Sequence, residues 1–302
     1  MSEAPPHTER GMFFDKAWNN MRHEEALGVS TVIVAGSFDE LKSREMRFLE
    51  EAAKLGTVHV LLYSDEAVQS LDGKTPNFPQ AERLYLVEAI RYVDRVTLLD
   101  NLLEKNPLPP RCIAPPATWV VDEPNDGPDK QAFCSARGLG YHVLKEEQLR
   151  GFPDDPTEIA AAADSSARKV IVTGCYDWFH SGHVRFFEEV SELGDLYVVV
   201  GHDDNIILLK GEGHPMFPAA ERRYMAGSIR HVKQALVSSG HGWLDAEPEI
   251  ERIKPDIYAV NEDGDQPEKR EYCQAHGIQY RLLKRSPKQG LPKRQSRDLR
   301  GF

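Results

Sequence analysis

Val32-Ile33-Val34-Ala35-Gly36-Ser37-Phe38-Asp39 recurs further along the chain as Val170-Ile171-Val172-Thr173-Gly174-Cys175-Tyr176-Asp177. The displacement, 170 − 32, is 138 positions, it continues without a gap through Leu55-Gly56, and it becomes 139, as 217 − 78, from Phe78 on. Arg47-Phe48-Leu49-Glu50-Glu51 faces Arg185-Phe186-Phe187-Glu188-Glu189, and Leu55-Gly56 faces Leu193-Gly194. Further on, Phe78-Pro79 with Glu82-Arg83 faces Phe217-Pro218 with Glu221-Arg222, and Phe133-Cys134 faces Tyr272-Cys273. Solenoid repeats have periods of about 20–50 residues, so a period this long is a duplicated domain.

Each copy has the same order of elements. An apolar, β-rich run (31–36, 169–174) leads through a Gly-containing turn into an amphipathic helix (about 41–54, 181–193) and a second apolar run (57–63, 195–201). A helix opened near a proline follows (79–91, 218–230), then a further strand, then a last helix–strand pair ending near Leu144 and Leu283. Strands that alternate with helices form a parallel sheet covered on both faces. The fold expected is α/β, two tandem Rossmann-like domains with parallel sheets.

The boundaries expected are an N-terminal helical extension at 1–28, a first domain at 29–150, a linker at 151–167 and a second domain at 168–302. The extension carries Phe13, Phe14, Trp18 and Met21 at helix-like spacing, and the linker holds Phe152-Pro153-Asp154-Asp155-Pro156 and a short helical start near Ala160 to Ser166.

The chain has 302 residues, 37 Lys+Arg against 48 Asp+Glu for a net charge of −11, and 40% hydrophobic residues. That is the composition of a globular protein of about two domains. An acidic balance argues against a general nucleic-acid binder, which needs a basic face to release counterions. No run approaches the roughly 18 apolar residues of a membrane span. The start, Met1-Ser2-Glu3-Ala4-Pro5-Pro6, lacks the basic flank and apolar stretch of a secretory signal, and four scattered Cys form no disulfide framework. The compartment expected is the cytoplasm. Cys134 and Cys273 occupy equivalent helix positions and are expected in the core, whereas Cys112 lies among prolines.

The chemistry is expected in the second copy, where Gly174-Cys175-Tyr176-Asp177-Trp178-Phe179-His180-Ser181-Gly182-His183 joins the first strand to the first helix. At that junction of a parallel sheet, free helix N–H groups and the positive end of the helix dipole favour an anion. His180 and His183, three apart on the first turn, share one side, and Gly182 lets a phosphate approach the backbone. Two imidazoles there suit the charge that builds on phosphate oxygens during nucleotidyl transfer. The same pair at this spacing also occurs in metal sites and at plain helix starts.

Strand, aromatic-Asp pair and His-x-Gly-His together resemble the signature of the cytidylyltransferase-like nucleotidyltransferases. Gly174-Cys175-Tyr176-Asp177 with His180-Ser181-Gly182-His183 is most similar to the members that act on phosphorylated alcohols such as phosphoethanolamine, phosphocholine and glycerol 3-phosphate. The resemblance implies catalytic roles for His180, His183 and Lys210, the last standing in Lys210-Gly211 where the family has a phosphate-holding lysine. It implies nucleotide-binding roles for Gly174, Cys175, Tyr176, Gly182, Arg222 (from Glu221-Arg222), Asp263 (from Asn261-Glu262-Asp263-Gly264), Arg294 and Ser296. The last two fall in Arg294-Gln295-Ser296-Arg297-Asp298-Leu299, which departs from the family's closing loop and leaves the nucleotide open. Asp177 and its counterpart Asp39 are expected to cap the helices that follow. His214 lies close enough to Lys210 to reach substrate, while His202, His231 and His241 read as surface residues or as supports behind the site rather than as ligands.

The reaction implied is transfer of CMP from CTP, with Mg²⁺, to a small phosphorylated alcohol resembling phosphoethanolamine, with release of pyrophosphate. No metal ligand set of the protein's own is expected. Two further readings stand beside it: adenylyl or cytidylyl transfer to a sugar phosphate, and a nucleotide-binding regulator without turnover. In the first copy Lys42, Arg44, Glu45 and Asp72 face His180, Gly182, His183 and Lys210, so no catalysis is expected there. The tandem arrangement resembles the ethanolamine-phosphate cytidylyltransferases with the altered copy placed first. Family members commonly dimerise, which implies either a homodimer or a pseudo-dimer formed within one chain. The basic stretch from Arg281 to Arg300 reads either as a cover for a triphosphate or as a solvated tail.

Overall fold

The computed structural model describes residues 30–100, 113, 115–162, 164 and 166–299. The expected N-terminal extension and Cys112 lie outside them. The first unit has strands β1 (Thr31–Gly36), β2 (Thr57–Tyr63), β3 (Arg95–Leu99), β4 (Ala117–Asp122) and β5 (Gly140–Leu144), with helices α1 (Ser43–Ala53), α2 (Asp65–Asp72), α3 (Gln80–Glu88) and α4 (Pro128–Arg137). The second unit repeats them as β6 (Lys169–Gly174), β7 (Asp195–Val200), β8 (Val232–Val237), β9 (Ile257–Asn261) and β10 (Gln279–Leu283). Its helices are α5 (Ser181–Ser191), α6 (Asp203–Lys210), α7 (Ala219–Gly227), α8 (Glu247–Ile253) and α9 (Pro267–Ala275).

Both sheets are five-stranded and parallel, in the orders β3-β2-β1-β4-β5 and β8-β7-β6-β9-β10. The chain is therefore two tandem Rossmann-like α/β units. Val32 and Val34, like Val170 and Val172, are buried apolar strand residues. In each unit the order reverses beside the first strand, and that switch point is where such sheets open a ligand crevice. Helices α2 and α6, between the second strand and the proline-opened helix, were not expected. Ser64 caps the first of them and His202 the second, each accepting a backbone N–H three residues on.

The linker is extended, with no helix among its described residues. Gln234 on β8 holds it, accepting from the Ala160 N–H and donating to the Glu158 carbonyl, and the Tyr197 hydroxyl donates to the Ala160 carbonyl. Cys134 and Cys273 are buried as expected. Among the described residues no helix is long and apolar enough to cross a membrane.

The units meet across a pseudo-twofold axis, with equivalent residues exchanging roles. Ile90 and Ile229 form an antiparallel bridge flanked by Arg91 N–H to Ser228 and Arg230 N–H to Ala89. The Tyr85 hydroxyl donates to Glu188 and the Tyr224 hydroxyl to Glu50, both at 2.8 Å. The Ser43 hydroxyl donates to Glu221 at 2.7 Å, and the Ser181 hydroxyl to Glu82 at 2.6 Å. Reciprocal contacts of this kind are those of an isologous interface, here formed by one chain with itself. One apolar core runs through it, combining Met46, Leu86 and Ile90 with Phe187, Met225 and Ile229.

Candidate active site

At the end of β6 the chain turns at Tyr176, in the left-handed region (φ 53°), and its ring folds back over Gly174. A Cβ on Gly174 would lie 2.9 Å from that ring, so only glycine fits there. The Tyr176 ring then meets His183 edge-on at 5.3 Å and Phe187 at 5.2 Å. Phe38, at φ 48°, makes the same turn in the first unit.

His180 is the residue before α5, and its Nδ1 accepts the backbone N–H of Gly182 at 3.0 Å. A Cβ on Gly182 would lie 2.9 Å from His180 Cε1, so a side chain there would displace the ring. The two imidazoles stack with centroids 4.0 Å apart and planes 20° from parallel, and Phe179 packs on His183 at 5.5 Å. His180 Nε2 and His183 Nδ1 are buried and have no protein partner. Burial, reinforced by Arg285 and Arg294, pushes His180 down to about 3. Burial, His180, Arg285 and Lys210 hold His183 well below the ordinary histidine range. Both rings are neutral at neutral pH.

A cavity of about 600 Å³ opens in front of this helix start, within the range of small-molecule sites. Of the residues expected from sequence, Gly174, Cys175, Tyr176, Asp177, Gly182, His183, Lys210, Asp263 and Ser296 line it, as does His214. His180 does not; it stands behind His183. Lys210 is the last residue of α6 and is exposed. Burial raises the Cys175 thiol, while Lys210 and Arg222 work against that rise.

Three expectations need correction. Arg222 does not face the cavity. It is buried, and its guanidinium donates to the carbonyls of Phe217, Cys175 and Gly201 and to Asp203, at 2.6–2.8 Å. Four of its five N–H donors are taken by these partners, and burial keeps the guanidinium away from a triphosphate. Arg294 turns away from the cavity and pairs with Glu82 of the first unit, its Nη2 at 2.8 Å. Asp177 does not cap α5. Its carboxylate accepts the backbone N–H groups of Met216 and Phe217 at 2.8–3.0 Å, tying the loop after α6 to the strand end, and Asp39 does the same with Asn77 and Phe78.

His202 is a support rather than a ligand: besides capping α6, its Nε2 contacts the Gly240 carbonyl at 2.8 Å. The C-terminal stretch is docked rather than frayed, with Leu299 buried, the Ser296 hydroxyl donating to the Trp178 carbonyl at 3.3 Å, and Lys288 on Glu188. The Arg297 and Asp298 side chains lie outside the described residues.

Sequence reasoning missed Trp243, Asn205 and Lys269. Asn205 clamps Gly242 through both its amide atoms and so places Trp243 at the cavity. Lys269 is buried at the cavity wall, with Nζ 3.3 Å from Thr173 Oγ1 and 5.8 Å from the Tyr258 ring centroid, and burial lowers its pKa. The duplication carried the signal for it, because Lys130 sits 5.6 Å from the Trp119 ring centroid in the first unit.

The first unit keeps a crevice of about 440 Å³ with a different lining. Glu45, where His183 stands, accepts the Lys42 N–H at 3.1 Å and so occupies the start of α1 with its own carboxylate. Arg44, where Gly182 stands, pairs with Asp122 and Glu146 at 2.7 Å.

Residues 171–277 match a family model described as cytidylyltransferase-like. The FAD synthase of Ferroglobus placidus is 34% identical over 120 residues, covering 39% of this chain and 75% of that protein. The FAD synthase of Pyrococcus horikoshii is 38% identical over 99 residues, covering 32% and 64%. The bifunctional protein HldE of Hydrogenovibrio crunogenus is 33% identical over 106 residues, covering 34% and 21%, so the chain spans less than two thirds of these last two relatives. Among solved structures, a lipopolysaccharide core biosynthesis protein from Thermoplasma volcanium aligns with a TM-score of 0.34 at 24% identity, over 41% of this chain and 99% of that one. With a strand-to-helix turn that carries His-x-Gly-His at the switch point of a parallel sheet, and with these relatives, the chain belongs to the cytidylyltransferase-like family of nucleotidyltransferases.

Proposed function

We propose that the second unit transfers a nucleotidyl group from a nucleoside triphosphate to a phosphorylated acceptor. An acceptor phosphate oxygen attacks the α-phosphorus, the bond from that phosphorus to the β-bridging oxygen breaks, and pyrophosphate leaves. The observation that carries this reading is the pair of unpartnered buried atoms, His180 Nε2 and His183 Nδ1, at the positive end of the α5 dipole. Buried polar atoms left without a protein partner point to a ligand, and a helix start selects an anionic one.

Because His180 Nδ1 accepts a backbone N–H, its neutral ring carries the proton on Nε2, as a donor. His183 presents its ring at the cavity, and Lys210, exposed at the end of α6, adds a cation that can gather phosphates. A donor aimed at developing phosphate charge is worth about 10²–10³ in rate. Among the described residues no group of three or more His, Cys, Asp or Glu is placed to hold a metal. A magnesium ion accompanying the triphosphate would neutralise part of its charge.

For the nucleotide and acceptor we favour adenylyl transfer to a phosphate borne by a planar ring system. FAD, named in two of the relatives, is FMN joined to AMP, and Trp178 and Trp243 both line the cavity, where indoles offer stacking surfaces. The second reading, CMP transfer to a phosphorylated alcohol, is favoured by Gly174-Cys175-Tyr176-Asp177 with His180-Ser181-Gly182-His183. Pyrophosphate release separates them when ATP and CTP are each offered with FMN, phosphoethanolamine, glycerol 3-phosphate and sugar phosphates, using the His180→Ala/His183→Ala variant as blank. Release with ATP and FMN alone supports the first, and release with CTP and an alcohol phosphate replaces it with the second. Nucleotide binding without release from any pair overturns both in favour of a regulator.

A further inference from the structure

We infer that Glu82, a residue of the altered first unit, is a positioning residue for the active site of the second. Its carboxylate is fully buried, a state that persists only where the charge is paired and hydrogen-bonded. Both partners come from the other unit. The Ser181 hydroxyl, between His180 and Gly182 at the start of α5, donates to Glu82 at 2.6 Å. Arg294 adds Nη2 at 2.8 Å and Nε at 3.1 Å, with its guanidinium 4.9 Å from the Phe78 ring centroid.

Arg294 carries the effect onward. Its carbonyl accepts from Arg285 at 3.2 Å, and Arg285 pairs with Asp263 at the cavity. The next two residues, Gln295 and Ser296, line that cavity directly. One buried carboxylate of the first unit thus holds the histidine turn and the segment that covers the site.

The pseudo-twofold relation supplies a control within the molecule. Glu221 accepts from Ser43 at 2.7 Å just as Glu82 accepts from Ser181. Among the described residues no cation pairs with Glu221. The serine–glutamate contact therefore belongs to the interface on both sides, whereas the arginine is added only where the His-x-Gly-His turn is intact.

The inference rests on the proposed function for what the site does, and its test has a readout that does not. Wild type, Glu82→Gln, Arg294→Gln, the double variant and Arg294→Lys are compared by pyrophosphate release, thermal midpoint and tryptic cleavage between Lys284 and Lys293. A displacement of about 1 Å at a site costs about a hundredfold, so each glutamine variant is expected to lose about tenfold or more in kcat, with a smaller change in nucleotide KM. The double variant is expected to be no worse than the worse single one, because the two residues act as one unit, and the C-terminal segment is expected to become trypsin-sensitive. Arg294→Lys should recover part of the loss.

Wild-type kcat and a protected segment in Glu82→Gln, or losses that multiply in the double variant, would overturn the inference. If Glu82→Gln does not fold, Arg294→Gln and Arg294→Lys carry the comparison. If the wild type turns over no nucleotide, the functional reading fails, and the cleavage pattern alone still decides whether Glu82 holds the segment.

Discussion

The backbone N–H of Gly182 donates to Nδ1 of His180 at 3.0 Å, so one bond both caps α5 and sets which ring nitrogen carries the proton. The two roles can be separated. An asparagine places a side-chain oxygen near the Nδ1 position but nothing at Nε2. We predict that His180→Asn keeps the thermal midpoint close to wild type and loses about 10²–10³ in kcat, whereas His180→Leu loses the cap as well, at a cost of about 1 kcal/mol. Equal activity in the asparagine and wild-type proteins would remove Nε2 from the mechanism.

The depressed histidines link stability to pH. In the unfolded chain they bind protons near the ordinary value, while in the fold His180 does so only near about 3 and His59 near about 4. Between those values and about 6.5 the unfolded state holds more protons, so stability falls as pH falls through this window. Urea titrations at pH 7 and pH 5 should show the drop. His180→Asn should make it shallower by about 1.4 kcal/mol per pH unit, and an unchanged slope would mean that His180 is protonated in the fold.

Arg222 is predicted to act on stability and not on nucleotide affinity. Arg83 in the first unit makes the matching set of bonds, to the carbonyls of Phe78, Ser37 and Tyr63 and to Asp65, at 2.6–2.9 Å. That unit has no histidine pair, so the shared network serves the fold. Arg222→Ala and Arg83→Ala should each destabilise by about 3–5 kcal/mol by leaving buried acceptors unpaired. Nucleotide KM in the folded Arg222→Ala fraction should match wild type, and a rise of an order of magnitude would return Arg222 to the site.

One nucleotide per chain is the expected stoichiometry. The Glu45 carboxylate already caps α1 where a phosphate would bind, and a like charge at a helix start opposes an anion. Calorimetry with a non-hydrolysable triphosphate should give one site, abolished by Lys210→Ala/His183→Ala. A second site that survives those changes would place nucleotide binding in the first unit.

Much of this molecule is written in short-range signals. Alternating strand and helix patterns at a 138-residue displacement foretell two parallel sheets, and Gly174, Gly182 and the histidine pair mark the turn between β6 and α5, since their conformations depend on neighbours within a few residues. The roles of Arg222, Arg294 and Glu82 could not be read in this way. A Glu-Arg pair opening a helix looks the same whether its arginine meets solvent phosphate or buried carbonyls 21 and 47 positions away. A basic C-terminal run likewise gives no sign that one arginine will cross 212 positions to a buried carboxylate. Local periodicity depends on the residue's own backbone, whereas the partner of a long charged side chain depends on which surfaces the fold brings together and seals from water, and here the packing of one unit on the other did that.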